Sequence, residues 1–161
     1  WYWPIDTVTM KGFAYAMSAA PMQTQILKKN FFVEKIMPMA VKHPLAEEVM
    51  DHYREALPTG QRRIGAAEFP RQLIAASLWL GDLSDEVQDK LRNVPLLLTW
   101  GLHDLAFPRQ YMDRFREDFV RSQVCRLDAK HYIQEDSPVE ISAAIKDFLG
   151  SIPSTTSLAS Q

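Results

Sequence analysis

The stretch Val94-Pro95-Leu96-Leu97-Leu98-Thr99-Trp100-Gly101-Leu102-His103-Asp104 decides the fold. It is almost continuously apolar up to Trp100 and ends at a glycine, the form of a strand covered on both faces rather than of an alternating surface strand. Pro108 then opens a helix. Phe107, Tyr111, Met112, Phe115 and Phe119 fall on one face of that helix, which must therefore pack back on the sheet. Gln123 to Asp128 read as the next strand, so that strand, helix and strand make a parallel pair. Ser137, Pro138 and Glu140 announce a last helix as N-cap, first-turn proline and capping-box acid. Ile141, Ala144, Ile145 and Phe148 give its buried face, and Gly150 is expected to stop it.

Toward the N-terminus the pattern is helical from Thr7 to about Leu57, in pieces cut by Pro21, Pro38, Pro44 and Pro58. Leu45, Val49, Tyr53 and Leu57 recur every four residues, while Glu47, Glu48, Asp51 and Arg54 take the other faces, so this helix buries one side only. Phe69 to Leu83 reads as a mostly buried helix that starts at Phe69-Pro70 and ends near Gly81. A second helix is expected from Ser84 to Arg92. The fold class is α/β. The expected division is a helical part over 1–80, a sheet part over 81–149, and a tail over 150–161 too small and polar to offset the cost of ordering. Two strands alone cannot make a stable, doubly covered sheet. The aromatic opening Trp1-Tyr2-Trp3-Pro4, without an initiator methionine, reads as a start in mid-domain, and a truncated chain is expected.

The 161 residues are 47% hydrophobic, enough apolar mass to bury a core. The net charge of −2 is built from interspersed acids and bases, which leaves no basic stripe for nucleic acid and no polybasic patch for anionic lipid. No apolar run is long enough to span a bilayer and no signal peptide is evident, so a cytoplasmic protein is expected. The single cysteine, Cys125, lies in a strand pattern and reads as structural. His43, His52 and His103 lack metal-ligand spacing, and no glycine loop suits a phosphate. No metal and no cofactor are expected.

Asp104 lies just beyond the first strand, and His131 occupies the equivalent place after the second, in Asp128-Ala129-Lys130-His131-Tyr132. Open α/β sheets collect their functional groups at those strand ends. Neighbouring strands are about 4.8 Å apart, so the two side chains can reach hydrogen-bonding distance. A carboxylate on imidazole Nδ1 fixes the tautomer and leaves Nε2 free to take a proton. The residues leave a second reading open, in which Asp104 caps the helix after Pro108 and His131 is an ordinary loop histidine.

Four blocks, in order, decide between them by resemblance: Asn30-Phe31-Phe32-Val33-Glu34-Lys35-Ile36-Met37-Pro38, then Phe69-Pro70-Arg71, then Gly101 to Asp104, then His131-Tyr132-Ile133-Gln134-Glu135-Asp136-Ser137-Pro138. They resemble haloalkane dehalogenases of the α/β-hydrolase superfamily over essentially Trp1 to Leu149. The last block is the most specific, whereas G-x-x-D is common to many α/β-hydrolases. The resemblance implies a partial α/β-hydrolase fold: the end of strand six, a helical cap and the last two parallel strands with their covering helices. It makes His131 the base that activates water and Asp104 its acid partner. It places Phe32, Ile36, Pro70 and Leu73 on the cap side of a substrate cavity and Ala106 and Phe107 near its floor, although for any single one plain core packing is the favoured reading. The implied partners are a small hydrophobic halogenated substrate, water and halide; oligomeric state stays open.

The family's nucleophile is an aspartate on a sharp turn, usually with glycines two positions before and after it. The six glycines here, at 12, 60, 65, 81, 101 and 150, include no such pair. The nucleophile and the tryptophan after it are missing, and the chain alone is expected to be inactive. Ile36 stands where some members carry a halide-binding tryptophan, and isoleucine donates no hydrogen bond. The resemblance is therefore to the subgroup with an Asp-His-Asp triad and Asn-Trp halide ligands. Two other readings remain: an epoxide hydrolase, with Tyr15 or Tyr53 protonating an alkoxide, and an inactive truncated or vestigial product.

Overall fold

The computed structural model describes residues 1–152, which fall into two compact units that divide between Lys90 and Leu91. The first unit is helical: α1 (Val8–Ser18), α2 (Ala20–Lys29), a π-helical segment (Phe32–Ile36), α3 (Met37–Ala40), α4 (Glu47–Ala56), α5 (Ile64–Ala75) and the body of α6 (Ser77–Leu91). Thr7 caps α1, its hydroxyl accepting from the Met10 N–H at 3.2 Å. Pro21 and Pro38 sit in the first turns of α2 and α3, and Pro44 and Pro58 flank α4, as the proline spacing predicted.

The break after α2 has another cause. Asn30 takes the left-handed conformation at φ 49° and ψ 43°, and asparagine is among the few residues that adopt it at modest cost. Its carbonyl accepts from the Val33 and Glu34 N–H groups at 2.9 Å, starting the π-helical segment. α1 packs on α2 and α5, and Ile5, Ala14 and Leu73 form a buried cluster joined by Trp1, Met10 and Ile74. Gln23, buried between α1 and α5, donates to the Met17 and Ala67 carbonyls at 2.8 Å.

The expected helix over Phe69–Leu83 is corrected. Pro70 lies inside α5 rather than at a helix start, and the chain restarts at Ser77 to run unbroken through Gly81 to Leu91. A proline in mid-helix removes one backbone donor and crowds the carbonyl four residues earlier, yet α5 runs through Pro70, which is buried. The apolar run Leu78-Trp79 is not buried: these side chains are 87% and 62% exposed.

The second unit holds β1 (Leu96–Gly101), α7 (Arg109–Asp118), β2 (Ser122–Leu127), α8 (Ile133–Asp136) and α9 (Pro138–Ser151). The strands are parallel, in register from Leu96 opposite Ser122 to Gly101 opposite Leu127. Tyr111, Met112 and Phe119 are buried, and the Phe115 ring lies edge-on to Trp100 at 6.2 Å, so the aromatic face of α7 meets the sheet as predicted. α9 packs against both strands. The apolar run of β1 is nonetheless only half-buried apart from Leu98 and Gly101, because among the described residues the sheet has two strands.

At the start of α9 the expected capping box does not form. Ser137 occupies the N-cap with Pro138 in the first turn, but its side chain makes no capping bond, and its backbone N–H instead donates to Ile133 O at 2.8 Å. The preceding short helix α8 has already supplied the turn. Gly150 does not stop α9, which continues to Ser151. The rest of the tail expected to be disordered lies, from residue 153, outside the described residues.

Candidate functional site

Gly101 ends β1 and brings the two post-strand loops together. A Cβ built there would lie 2.3 Å from Lys130 O and 2.8 Å from Ala129 O, so only glycine lets the second loop pass this close. The loops are then laced by backbone bonds: Leu102 N–H to Leu127 O and His103 N–H to Ala129 O, both at 2.9 Å. The Asp136 carboxylate accepts the Lys130 N–H at 2.8 Å and holds the residue before His131. That contact is the structural reason for an aspartate in the His131-to-Pro138 block. An exposed pair, His103 Nε2 and Asp128 Oδ1 at 2.8 Å, spans the loops as well. Its solvation makes it weak.

This lacing brings His131 Nδ1 to 2.9 Å from Asp104 Oδ2. With a carboxylate on that side, Nδ1 carries the proton and Nε2 is left available. The Asp104 side chain is 9% exposed and that of His131 34%. The other carboxylate oxygen, Oδ1, accepts the Ala106 N–H at 2.8 Å and the Phe107 N–H at 3.0 Å. Burial opposes ionisation of Asp104, but the bonds from His131, Phe107 N–H and Ala106 N–H outweigh it, and the carboxyl sits below its ordinary range. Asp104 does not cap α7, whose N-cap is Pro108 with no side-chain capping bond; one carboxylate oxygen ties down the loop before the helix and the other meets the imidazole.

The aromatic surroundings of His131 were not foreseen. The Phe107 ring lies 5.3 Å away at an interplanar angle of 32°, and the Tyr132 ring 5.3 Å away edge-on. Burial raises the Tyr132 hydroxyl above its usual pKa and keeps it neutral. The Trp100 indole N–H donates to Phe107 O at 3.1 Å. No spacing rule in the sequence points to these contacts.

The other expected site residues fall as follows. Phe32 and Ile36 sit half-buried at the two ends of the π-helical segment. Pro70 and Leu73 are buried on α5, Leu73 within the Ile5–Ala14 cluster. Ala106 is exposed and Phe107 half-buried. Tyr15 is 64% exposed on α1, and Tyr53 is half-buried on α4. Asn30, Glu34, Arg54, Glu55, Pro58 and Arg63 line an open cleft in the helical unit. Its cations are engaged: Arg54 pairs with Glu34, Glu47 and Asp51, and Arg63 donates to the Leu27, Leu57 and Pro58 carbonyls. The cleft is thus a brace between elements. Among the described residues no group of three or more His, Cys, Asp or Glu could hold a metal, and no helix is long and apolar enough to cross a membrane.

A helical cap followed by two parallel strands, with a carboxylate and an imidazole meeting beyond the strand ends, is a partial α/β-hydrolase architecture. No family model matches the chain. It is 43% identical over 152 residues to haloalkane dehalogenase 2 of Mycobacterium tuberculosis, covering 93% of this chain and 53% of that protein. It is 29% identical over 140 residues to a haloalkane dehalogenase of Bradyrhizobium diazoefficiens, covering 81% of this chain and 44% of the relative. Crystal structures of the haloalkane dehalogenases DbeA from Bradyrhizobium elkani and DatA from Agrobacterium tumefaciens superpose with TM-scores of 0.74 and 0.75, at 24% and 17% identity. Each superposition covers 91% of this chain, and 54% and 53% of those proteins, respectively. By sequence the chain is similar to haloalkane dehalogenases, and it spans about half the length of the curated relatives it matches.

Proposed function

We propose that the chain supplies the ester-hydrolysing half of an enzyme that cleaves carbon–halogen bonds in small hydrophobic haloalkanes. The observation that carries this reading is the 2.9 Å contact between His131 Nδ1 and a nearly buried Asp104 carboxylate at the ends of two parallel strands. In the complete reaction a carboxylate from outside these residues attacks the halogen-bearing carbon, the carbon–halogen bond breaks, and halide leaves with the bonding pair. The product is an alkyl ester. Water then attacks the ester carbonyl as His131 Nε2 takes one of its protons; the acyl–oxygen bond breaks, the departing alkoxide takes the water's second proton and leaves as alcohol, the carboxylate is restored, and the imidazolium returns its proton to solvent. Asp104 keeps the imidazole oriented and stabilises the imidazolium that forms.

Phe32, Ile36, Pro70 and Leu73 of the helical unit, and Ala106 and Phe107 of the sheet unit, are the substrate-side residues that the resemblance implies, and their apolar character suits a haloalkane. No metal or organic cofactor enters the chemistry, and the halide donors, as in the Asn-Trp subgroup, come from outside the chain. The chain alone lacks the nucleophile and is inactive. The test is bromide release from 1-bromobutane by a fusion that places the unmatched part of the Mycobacterium tuberculosis relative ahead of Trp1. The fusion is expected to turn over, its His131→Ala form to release about one bromide per site and stop, and the 161 residues alone to release none. Steady turnover by the chain alone, or by the His131→Ala fusion, overturns the reading.

A further inference from the structure

We infer that Trp100 and Phe107 are positioning residues for His131, joined to it in a closed ring of contacts. The assignment rests on reading His131 as the base and goes beyond it, because neither residue is needed to supply or accept a proton. Starting at the strand, the Trp100 indole N–H donates to Phe107 O at 3.1 Å. The Phe107 N–H donates to Asp104 Oδ1 at 3.0 Å, and Asp104 Oδ2 meets His131 Nδ1 at 2.9 Å. The His131 ring then returns to the Phe107 ring at 5.3 Å with an interplanar angle of 32°. Each link fixes a different degree of freedom.

A histidine held by one hydrogen bond can still rotate about that bond and swing Nε2 away from its task. The tilted Phe107 ring and the edge-on Tyr132 ring, each 5.3 Å from the imidazole, limit this freedom. An aromatic face at that distance also attracts the imidazolium more than the neutral ring. Phe107 can do this only if its own backbone is placed. Both of its backbone groups are held, the N–H by the same carboxylate that holds His131 and the carbonyl by Trp100. Trp100 is anchored in turn, since it belongs to β1 opposite Arg126 and lies edge-on to Phe115 of α7 at 6.2 Å. The indole thereby couples the sheet to the loop that carries the acid. A mere loop closure would need the backbone bond and not the ring-on-ring contact, which is what separates the two roles experimentally.

The test is exchange of the His131 Nδ1 proton with water, followed by NMR in the 161-residue chain labelled with 15N-histidine and assigned by the signal lost in His131→Gln. Phe107→Leu is expected to speed exchange about tenfold, Phe107→Tyr to stay within about twofold of the parent, and Trp100→Phe to speed it several-fold. The Leu97 and Val124 amides of the ladder should keep their protection in all three. Unchanged exchange in Phe107→Leu, or equal loss of protection at those ladder amides, overturns the assignment. In the fusion described above, Trp100→Phe is expected to lower kcat several-fold at unchanged KM. A fusion that releases no halide, beside a proton signal that responds as stated, removes the proposed reaction and leaves the positioning role standing. Halide release indifferent to Trp100→Phe does the reverse.

Discussion

Replacing Gly101 by alanine isolates the close approach on which the candidate site is built. The backbone of Gly101 is not in the left-handed region, so conformation alone permits alanine, and relief of glycine's unfolded-state freedom would stabilise the protein by about 0.4–1 kcal/mol. Sterics predict the opposite. The new Cβ would lie 2.3 Å from Lys130 O and 2.8 Å from Ala129 O, with Ile133 Cγ2 at 3.1 Å. Lys130 O must therefore retreat by at least about 0.7 Å to reach the closest spacing that real Cβ atoms show. Both oxygens are backbone, and Ala129 O also accepts the His103 N–H at 2.9 Å. Overpacking of this kind costs about 1–3 kcal/mol and the strained hydrogen bond about another 1, so Gly101→Ala should be about 2–4 kcal/mol less stable. Gly81→Ala is the control, since nothing lies within 4 Å of a Cβ there and α6 runs through the position; it should gain up to about 1 kcal/mol. Urea unfolding followed by tryptophan fluorescence measures both. A Gly101→Ala chain as stable as the parent, or more so, would refute the close-approach argument. The same displacement reaches His131 through Lys130, so the Nδ1 proton signal should broaden or vanish in this variant.

Asp104 has a carboxyl pKa below its unfolded value of about 3.9, so it contributes stability at neutral pH that is lost as pH falls through the lower, folded pKa. Asp104→Asn should accordingly lose less stability between pH 5 and pH 3 than the parent, as read from urea midpoints at each pH. In the fusion, Asp104→Asn should lower turnover by about 10²–10⁴-fold by releasing the imidazole tautomer, with bromide release as the readout. Arg54→Met removes the cation shared by Glu34, Glu47 and Asp51, and should lower the melting temperature in dilute buffer but by much less in 1 M salt. Leu78→Gln should leave the urea midpoint of the 161-residue chain within error, a change of about 0.5 kcal/mol or less, because that side chain is 87% exposed. A large loss there would restore the buried-helix reading of Phe69–Leu83.

Helix breaks at prolines, the aromatic stripe of α7 and the parallel strand pair were legible because each depends on local chemistry: a missing N–H, a repeat of three and four, an apolar run that ends at glycine. The break at Asn30 was less so, since asparagine only permits the left-handed conformation and nothing nearby demands it. Pro70 and Gly81 misled for the converse reason. Both weaken a helix without forbidding it, and packing along α5 and continuity through α6 outweighed them. The same limit applies to Leu78 and Trp79, whose apolar character says what burial would contribute and not whether a neighbour is there to bury them.

At the site, the sequence by itself determined that an acid and a histidine follow successive parallel strands, and the spacing of such strands made their meeting geometrically natural. The order of the quoted blocks also pointed to the haloalkane dehalogenases, to which the chain is similar in sequence over about half of their length. Only the tertiary structure decided that Asp104 divides its two oxygens between a turn and the imidazole, and that Asp136 holds the residue before His131. It also decided that Gly101 is there to let one loop pass another, and that Trp100 and Phe107 close a ring of contacts on His131. Two physical reasons apply. The contacts of His131 with Asp104, 27 positions away, and of Gly101 with the second loop depend on strand pairing that no local periodicity encodes. The bonds of Asp104 to the Ala106 and Phe107 N–H groups, of Asp136 to Lys130 and of Trp100 to Phe107 are local, but they lie in irregular loops, where neither a helical nor a strand repeat says which backbone group a side chain will meet.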